Sequence, residues 1–254
     1  MAAPNLARLI YRNVRVNTDP ASLVILLGLP AMYLVFFGFG FQSLASAGGG
    51  GSYLAFLAPG IMAFQAVMAG TVGGSMLWAD RRWGMLAQLL VGPFTRTEYL
   101  FGIMLTSLLF GLGGAAVMLV LAVALLGTAT VGVAGGLAIF GVIALGSIFF
   151  GSLMLFISAL VKSNNAYNSI QILLLFFVNF ASTVFYPFSS RLPYALQVLF
   201  SVNPLTYIAD TARNGYQGHL TATNGYEMIV LAAETIVFLF LATQAYLRSD
   251  VSME

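Results

Sequence analysis

The chain has 254 residues, 60% of them hydrophobic and only 7% charged, with a mean hydropathy of +0.94. A soluble domain carries about 25% charged residues, so ten basic and eight acidic side chains cannot clothe a core of this apolarity in water. The net charge of +2, with its basic residues at apolar borders, excludes a nucleic-acid surface, and the lack of cysteine excludes a disulfide framework and cysteine-ligated zinc or iron–sulfur centres. The sequence reads as one all-α membrane domain over residues 1–254.

In chain order, Leu6, Leu9, Ile10 and Val14 recur at helical spacing while Arg8, Arg12 and Arg15 fall on another face. Residues 5–17 therefore predict an amphipathic helix lying along the bilayer surface. Asp19-Pro20 ends it. A hydrocarbon core about 30 Å thick takes about 20 helical residues, and six stretches meet or approach that length: 23–41, 54–77, 99–126, 133–161, 170–186 and 227–247. The first, preceded by arginines and followed by Ala45-Ser46-Ala47, imitates a signal peptide. Its apolar run exceeds the roughly 7–15 residues of a signal core, so an uncleaved helix is expected. Gly70 and Gly74, like Gly132 and Gly136, stand four apart and suit close helix approach.

Lys and Arg divide eight against two between alternate connections: Arg8, Arg12, Arg15, Arg81, Arg82, Arg96, Lys162 and Arg248 against Arg191 and Arg213. The positive-inside rule then puts both termini and the loops near 78–98 and 162–169 in the cytoplasm. The outer connections are 42–53 with its glycine run 48–51, a turn at 128–132 and the long segment 187–226. Residues 192–200 of that segment are apolar but too few to cross, and they are bracketed by Pro187, Pro193 and Pro204. With the preceding span only 17 residues long, or about 25 Å, a re-entrant helical hairpin over 187–215 turning at Asn203-Pro204 is expected. A plain surface loop is the alternative.

Chemistry is sparse. The sole histidine, His219, rules out an H-E-x-x-H zinc site and an intramembrane serine–histidine dyad, and no metal site is expected. The sole lysine, Lys162, precedes Ser163, but Phe156 and Val161 stand where a phosphate-cradling loop needs glycine. No nucleotide site is expected in this chain. Glu234, roughly 10 Å into the last span with Glu227 two turns before it, is the one intramembrane carboxylate. It leaves open an ion-coupled secondary transporter, beside a structural role. A non-transporting membrane assembly subunit is a further reading.

Residues 80–99 read Asp-Arg-Arg-Trp-Gly-Met-Leu-Ala-Gln-Leu-Leu-Val-Gly-Pro-Phe-Thr-Arg-Thr-Glu-Tyr. Trp83, Leu86, Ala87 and Leu90 share one helical face and Gly92-Pro93 ends the helix, which suits either a partner-docking helix or an interfacial loop. Arg81 through Pro93 resembles the cytoplasmic segment of ABC type-two exporter permeases, above all the daunorubicin-resistance and nodulation-factor export branch. Pro187-Phe188, Leu192-Pro193 and Asn203-Pro204-Leu205-Thr206-Tyr207, followed by Asp210 and Arg213, resemble the outer motif of that family. Asp80 stands where many relatives have Glu.

The resemblance implies a half-transporter of a bacterial plasma (inner) membrane, exporting an amphipathic, drug-like or lipid-linked substrate. Two six-helix permeases, copies or paralogues, would pair, and two separate cytoplasmic ATPases would bind ATP and Mg. Residues 81–91 would be the coupling helix, with Arg81, Arg82, Trp83, Gly84, Met85, Leu86, Leu89 and Leu90 at the ATPase. Pro187, Pro193, Asn203 and Pro204 would form the outer gate. A path between the first, second and fifth spans would be lined by Phe36, Phe37, Phe39, Gln65, Gln171 and Asn179, and its apolar walls with a few amides suit hydrophobic cargo.

Overall fold

The computed structural model describes residues 2–47, 52–126 and 131–249, which are helical with no strand among them. The 48–51 glycine run and most of the 128–132 turn lie outside the described residues. Helix α1 (Ala2–Asn17) is followed by α2 (Pro20–Leu23), whose amino end is capped by the Asp19 carboxylate accepting from the Ala21 and Ser22 amides at 3.1 and 3.2 Å. A π-helical turn, Val24–Gly28, leads into α3 (Leu29–Ala47). Pro30 has no N–H to return to the Leu26 carbonyl, and the widened turn sits where that hydrogen bond is missing. The stretch imitating a cleavage site, 45–47, is the last turn of α3.

Helices α4 (Tyr53–Arg82), α5 (Met85–Val91), α6 (Arg96–Leu126), α7 (Val133–Leu160) and α11 (Ala222–Arg248) follow, with α8 (Asn164–Phe180), α9 (Tyr194–Val202) and α10 (Pro204–Gln217) between α7 and α11. Among the described residues five helical stretches are long and apolar enough to cross a membrane: 20–42, α4, α6, α7 and α11. Helix α4 is the axis of the bundle, buried along nearly its whole length against α3, α6, α7 and α10. Its closest neighbour is α7. A Cβ on Gly70 would stand 2.5 Å from Phe150 Cβ and 2.6 Å from the Phe150 carbonyl carbon, so only glycine fits there. The Gly70→Ala variant is expected to lose about 1–3 kcal/mol through overpacking, read as a lowered unfolding temperature in detergent.

The expected fifth span, 170–186, is shifted. Helix α8 begins six residues earlier, where Ser163 Oγ accepts from the Ala166 amide, and stops at Phe180. Its 17 residues extend about 25 Å, and it is not among the five stretches long and apolar enough to cross; it is followed by irregular backbone, 181–186, buried from Ala181 to Phe185. Buried non-helical backbone must find protein partners, and this segment does. Asn203 Nδ2 donates to the Val178 and Ala181 carbonyls, both at 2.7 Å, Arg213 to the Thr183 carbonyl at 2.8 Å, and Tyr53 Oη to the Phe185 carbonyl at 2.7 Å. Gly60 of α4 leaves room for Val184, whose carbonyl oxygen would be 2.7 Å from a Cβ there.

Helices α9 and α10 occupy the segment expected to be a hairpin and meet at Asn203-Pro204. Asn203 lies between them, its Oδ1 accepting from the Leu205 amide at 3.0 Å, and Pro204 occupies the first helical position, where its missing N–H costs nothing. The turn packs on the end of α8, Ile208 reaches Gly146 midway along α7, and Gly215 reaches Gly135 near the start of α7. Helix α9 is largely exposed with Phe200 buried, whereas α10 is buried along one face.

Candidate functional site

Three groups of residues carry the functional argument. The first lies at the end of the bundle where α1, α5 and the carboxyl ends of α4, α7 and α11 meet. The second is the α9–α10 hairpin at the opposite end. The third comprises the polar and aromatic side chains between them.

The sequence pattern treats 81–91 as one helix, and the structure corrects this. Helix α4 runs on through Arg82; Gly84, at φ +68°, makes a left-handed turn that few other residues adopt, and α5 begins at Met85. Arg81 therefore belongs to α4 and not to α5. It is buried, and its Nη1 donates to the Ser158 and Ala159 carbonyls at 2.9 and 3.4 Å, satisfying the last turn of α7. Arg82 lies over the Trp78 and Trp83 rings at 5.3 and 5.2 Å. Within α5, Leu86 is buried against the bundle, with Leu89 and Leu90 packed beside it. The open face is Met85, Gln88 and Val91, continued by Trp83; Val91 is 90% and Trp83 75% exposed.

The loop that follows this short helix is held by two sets of contacts. Thr95 and Glu98 form a reciprocal capping box at the start of α6, the Thr95 amide donating to Glu98 Oε2 at 2.8 Å and the Glu98 amide to Thr95 Oγ1 at 3.2 Å. Asn5 Nδ2 of α1 donates to the Pro93 carbonyl at 3.0 Å, tying the amphipathic helix to the loop after α5.

Helix α1 packs on α6 rather than resting on lipid alone. Leu9 is buried at Gly102, and Asn13 Nδ2 donates to Thr106 Oγ1 at 3.3 Å. Arg8 and Arg15 face outward. Arg12 turns inward and pairs with both carboxylate oxygens of Asp80, with Nη1 2.8 Å from Oδ2 and Nη2 bonded to Oδ1, while Tyr99 Oη donates to Asp80 Oδ2 at 2.7 Å. Burial alone would lower the Arg12 pKa, yet the hydrogen bonds and charge of Asp80 leave it above its ordinary value. Asp80, Asn5, Asn13 and Tyr99 are absent from any sequence-derived site. The one legible signal was a carboxylate directly before two arginines at a helix end.

At the hairpin end, Arg213 is the organising residue. Its Nη1 meets Asp210 Oδ1 at 2.6 Å, its Nε donates to the Phe56 carbonyl at 3.2 Å, and its guanidinium covers the Phe56 ring at 3.9 Å. Thr183 Oγ1 donates to the same Asp210 oxygen at 2.8 Å. Asp210 and Arg213 thereby fasten α10 to α4 and to the irregular 181–186 segment. Asn203 and Pro204 sit at the buried turn, whereas Pro187 and Pro193 are exposed, Pro193 opening α9.

The six expected lining residues are not gathered into one path within this chain. Phe36 and Phe39 project outward from α3, and Phe37 belongs to an aromatic cluster with Tyr33, Phe41 and Phe185. Gln65 is buried toward α6 at Gly114, with no hydrogen-bond partner for its amide among the described residues. Asn179 turns back onto the Leu175 carbonyl at 2.6 Å. Gln171 alone borders a cleft, of about 210 Å³, where it meets Ser75 with Asn17, Ser22 and Thr71 nearby. In α11, Glu227 rather than Glu234 reaches α10, accepting from Thr211 at 3.2 Å and from Asn224 at 3.0 Å. Glu234 is half-buried, and its Oε2 has no hydrogen-bond partner among the described residues. The described residues hold no cluster of three or more His, Cys, Asp or Glu that would bind a metal.

Compared with curated proteins, the chain matches none. A family model does match: that of the ABC-2 type transporter, over residues 6–216, a span that runs from α1 through α10 and includes α5, the Asp80 network and the hairpin. The chain is thus an integral membrane permease component, not itself catalytic, of a transporter that works with an ABC ATPase, and it belongs to the ABC-2 type transporter family.

Proposed function

We propose that the chain is one half of the membrane pathway of an ATP-driven exporter, paired with a second copy or a paralogue and served by two cytoplasmic ATPase subunits that bind ATP and Mg. The observation that carries this reading is the open apolar strip Trp83, Met85 and Val91 on a short helix whose following loop is tied to α1 through Asn5. A short helix with large apolar side chains left in water suits insertion into a groove of a soluble partner.

The basic end, with Arg8, Arg12, Arg15, Arg81, Arg82, Arg96, Lys162 and Arg248, faces the cytoplasm of a bacterial inner membrane, and both termini lie there. The hairpin faces outward and acts as the exit gate. Phe36 and Phe39 on α3, with Ile172, Leu173, Phe176 and Phe177 on α8, form an outward apolar surface suited to a second permease and to the cargo between the two. The cargo is an amphipathic, drug-like or lipid-linked molecule, because the surface is apolar with few hydrogen-bonding groups.

The test is reconstitution of the chain with its cognate ATPase in vesicles loaded with a fluorescent amphiphile, with cysteine crosslinking from position 91. Transport is expected to need ATP, to survive collapse of the proton gradient and to survive Glu234→Gln. Transport that continues without ATP but stops on Glu234→Gln would replace this reading with ion coupling.

A further inference from the structure

At the basic end a cleft of about 430 Å³ opens between α7 and α11, outside the coupling helix, the hairpin and the expected path. Its lining combines the exposed cations Lys162 and Arg248 and the buried Arg81 with the apolar Phe156, Leu241 and Ala245. Among the described residues no carboxylate lines it. The volume lies within the range of about 300–1,000 Å³ typical of small-molecule sites.

The simplest account of these cations is that they answer the helix ends nearby. The carboxyl ends of α4, α7 and α11 meet here, each with about half a negative charge. That need is already met by other contacts. Arg81 donates to the Ser158 and Ala159 carbonyls of α7, and Arg96 to the Tyr246, Leu247 and Ser249 carbonyls at the end of α11. Lys162 and Arg248 form no ion pair among the described residues, and both are exposed. Each follows or ends a membrane-spanning helix, at the level where lipid headgroups lie. Below them the side chains become apolar at the depth of acyl chains, with Leu160 and Leu241 open to the membrane.

We propose that this cleft binds an anionic glycerophospholipid, its phosphate held by Lys162 and Arg248 with Gln244 beside them and its acyl chain against Phe156 and Leu241. A basic hollow between helices at the cytoplasmic border is the arrangement expected for such a headgroup. The bound lipid would brace the carboxyl ends of α7 and α11, and through Arg81 the end of α4 that leads into the coupling helix. Assignment to the inner leaflet rests on the orientation proposed above; the binding site does not.

The experiment uses the full chain in nanodiscs of phosphatidylcholine containing a minor fraction of phosphatidylglycerol, a format that exposes both leaflets, so a wrong orientation leaves the result unchanged. Native mass spectrometry is expected to find phosphatidylglycerol retained above its bulk fraction. In the Lys162→Gln/Arg248→Gln double variant that preference should fall roughly 10- to 30-fold, the effect of two cations at an anionic surface. The Arg8→Gln/Arg15→Gln variant, which removes two outward cations elsewhere, should leave it unchanged. Equal preference in wild type and double variant overturns the proposal. So does full competition by soluble glycerol 3-phosphate, which would mark a small-anion site with no use for the acyl chain.

Discussion

Val91→Glu is expected to abolish association with the ATPase while leaving the unfolding temperature of the permease within about a degree of wild type. Val91 closes α5 and is 90% exposed, so the substitution removes no internal contact of consequence. Driving a carboxylate into an apolar partner groove is another matter, because burial of an unpaired polar group costs several kcal/mol, roughly 2–7. Trp83→Ala should weaken the same complex by at least about 2 kcal/mol, the usual loss for an aromatic anchor, or close to thirtyfold in Kd.

The contrast is with Leu86. The sequence groups it with the docking residues, but it is buried among Leu9, Leu77 and Tyr99. Leu86→Ala should therefore lower stability by about 2–5 kcal/mol before it touches affinity for the ATPase. Pull-down and thermal unfolding on the three variants separate the two effects. If Leu86→Ala weakens the complex at unchanged stability, the open strip has been assigned to the wrong face.

How much of this was legible in the sequence depends on the range of the forces involved. Spans such as α6 and α7 are visible because hydropathy is a property of the segment itself; their predicted bounds fall within a few residues of Arg96–Leu126 and Val133–Leu160. The hairpin turn at Asn203-Pro204 was legible for a similar reason, since proline at a first helical position and a capping asparagine are local signals.

The start of α8 was missed because Asn164, Asn165, Asn168 and Ser169 are polar and hydropathy begins only at Ile170. Its end was missed because Asn203 and Arg213, more than twenty residues away, hold the 181–186 segment out of helix. Arg81 misled for a third reason. A run of residues at helical spacing hides the left-handed turn of Gly84, which redirects α5 and leaves Arg81 inside the bundle.

The second large effect is expected at Asp80. Three acceptor contacts converge on this carboxylate, two from Arg12 and one from Tyr99, so Asp80→Ala strands a guanidinium and a phenol together. Breaking a buried pair from one side costs about 3–5 kcal/mol. The lower end applies here, because the Arg12 side chain is 26% exposed against 10% for Asp80 and can swing toward water. Arg12→Ala should cost less than Asp80→Ala, since Tyr99 still serves the remaining carboxylate. Tyr99→Phe should cost least, about 1 kcal/mol for one hydrogen bond.

Function is expected to follow the same order for a mechanical reason. Asp80 sits in the last turn of α4, directly before the Gly84 turn, and Arg12 joins that turn to α1, which Asn5 fastens to the far side of α5. With the pair broken, α5 keeps its apolar strip and its affinity for the ATPase, but the strip is no longer rigidly joined to α4, the axis of the bundle. Asp80→Ala should therefore bind the ATPase nearly as wild type does and still lose most ATP-driven transport. Affinity and transport falling together would instead assign Asp80 to the docking surface.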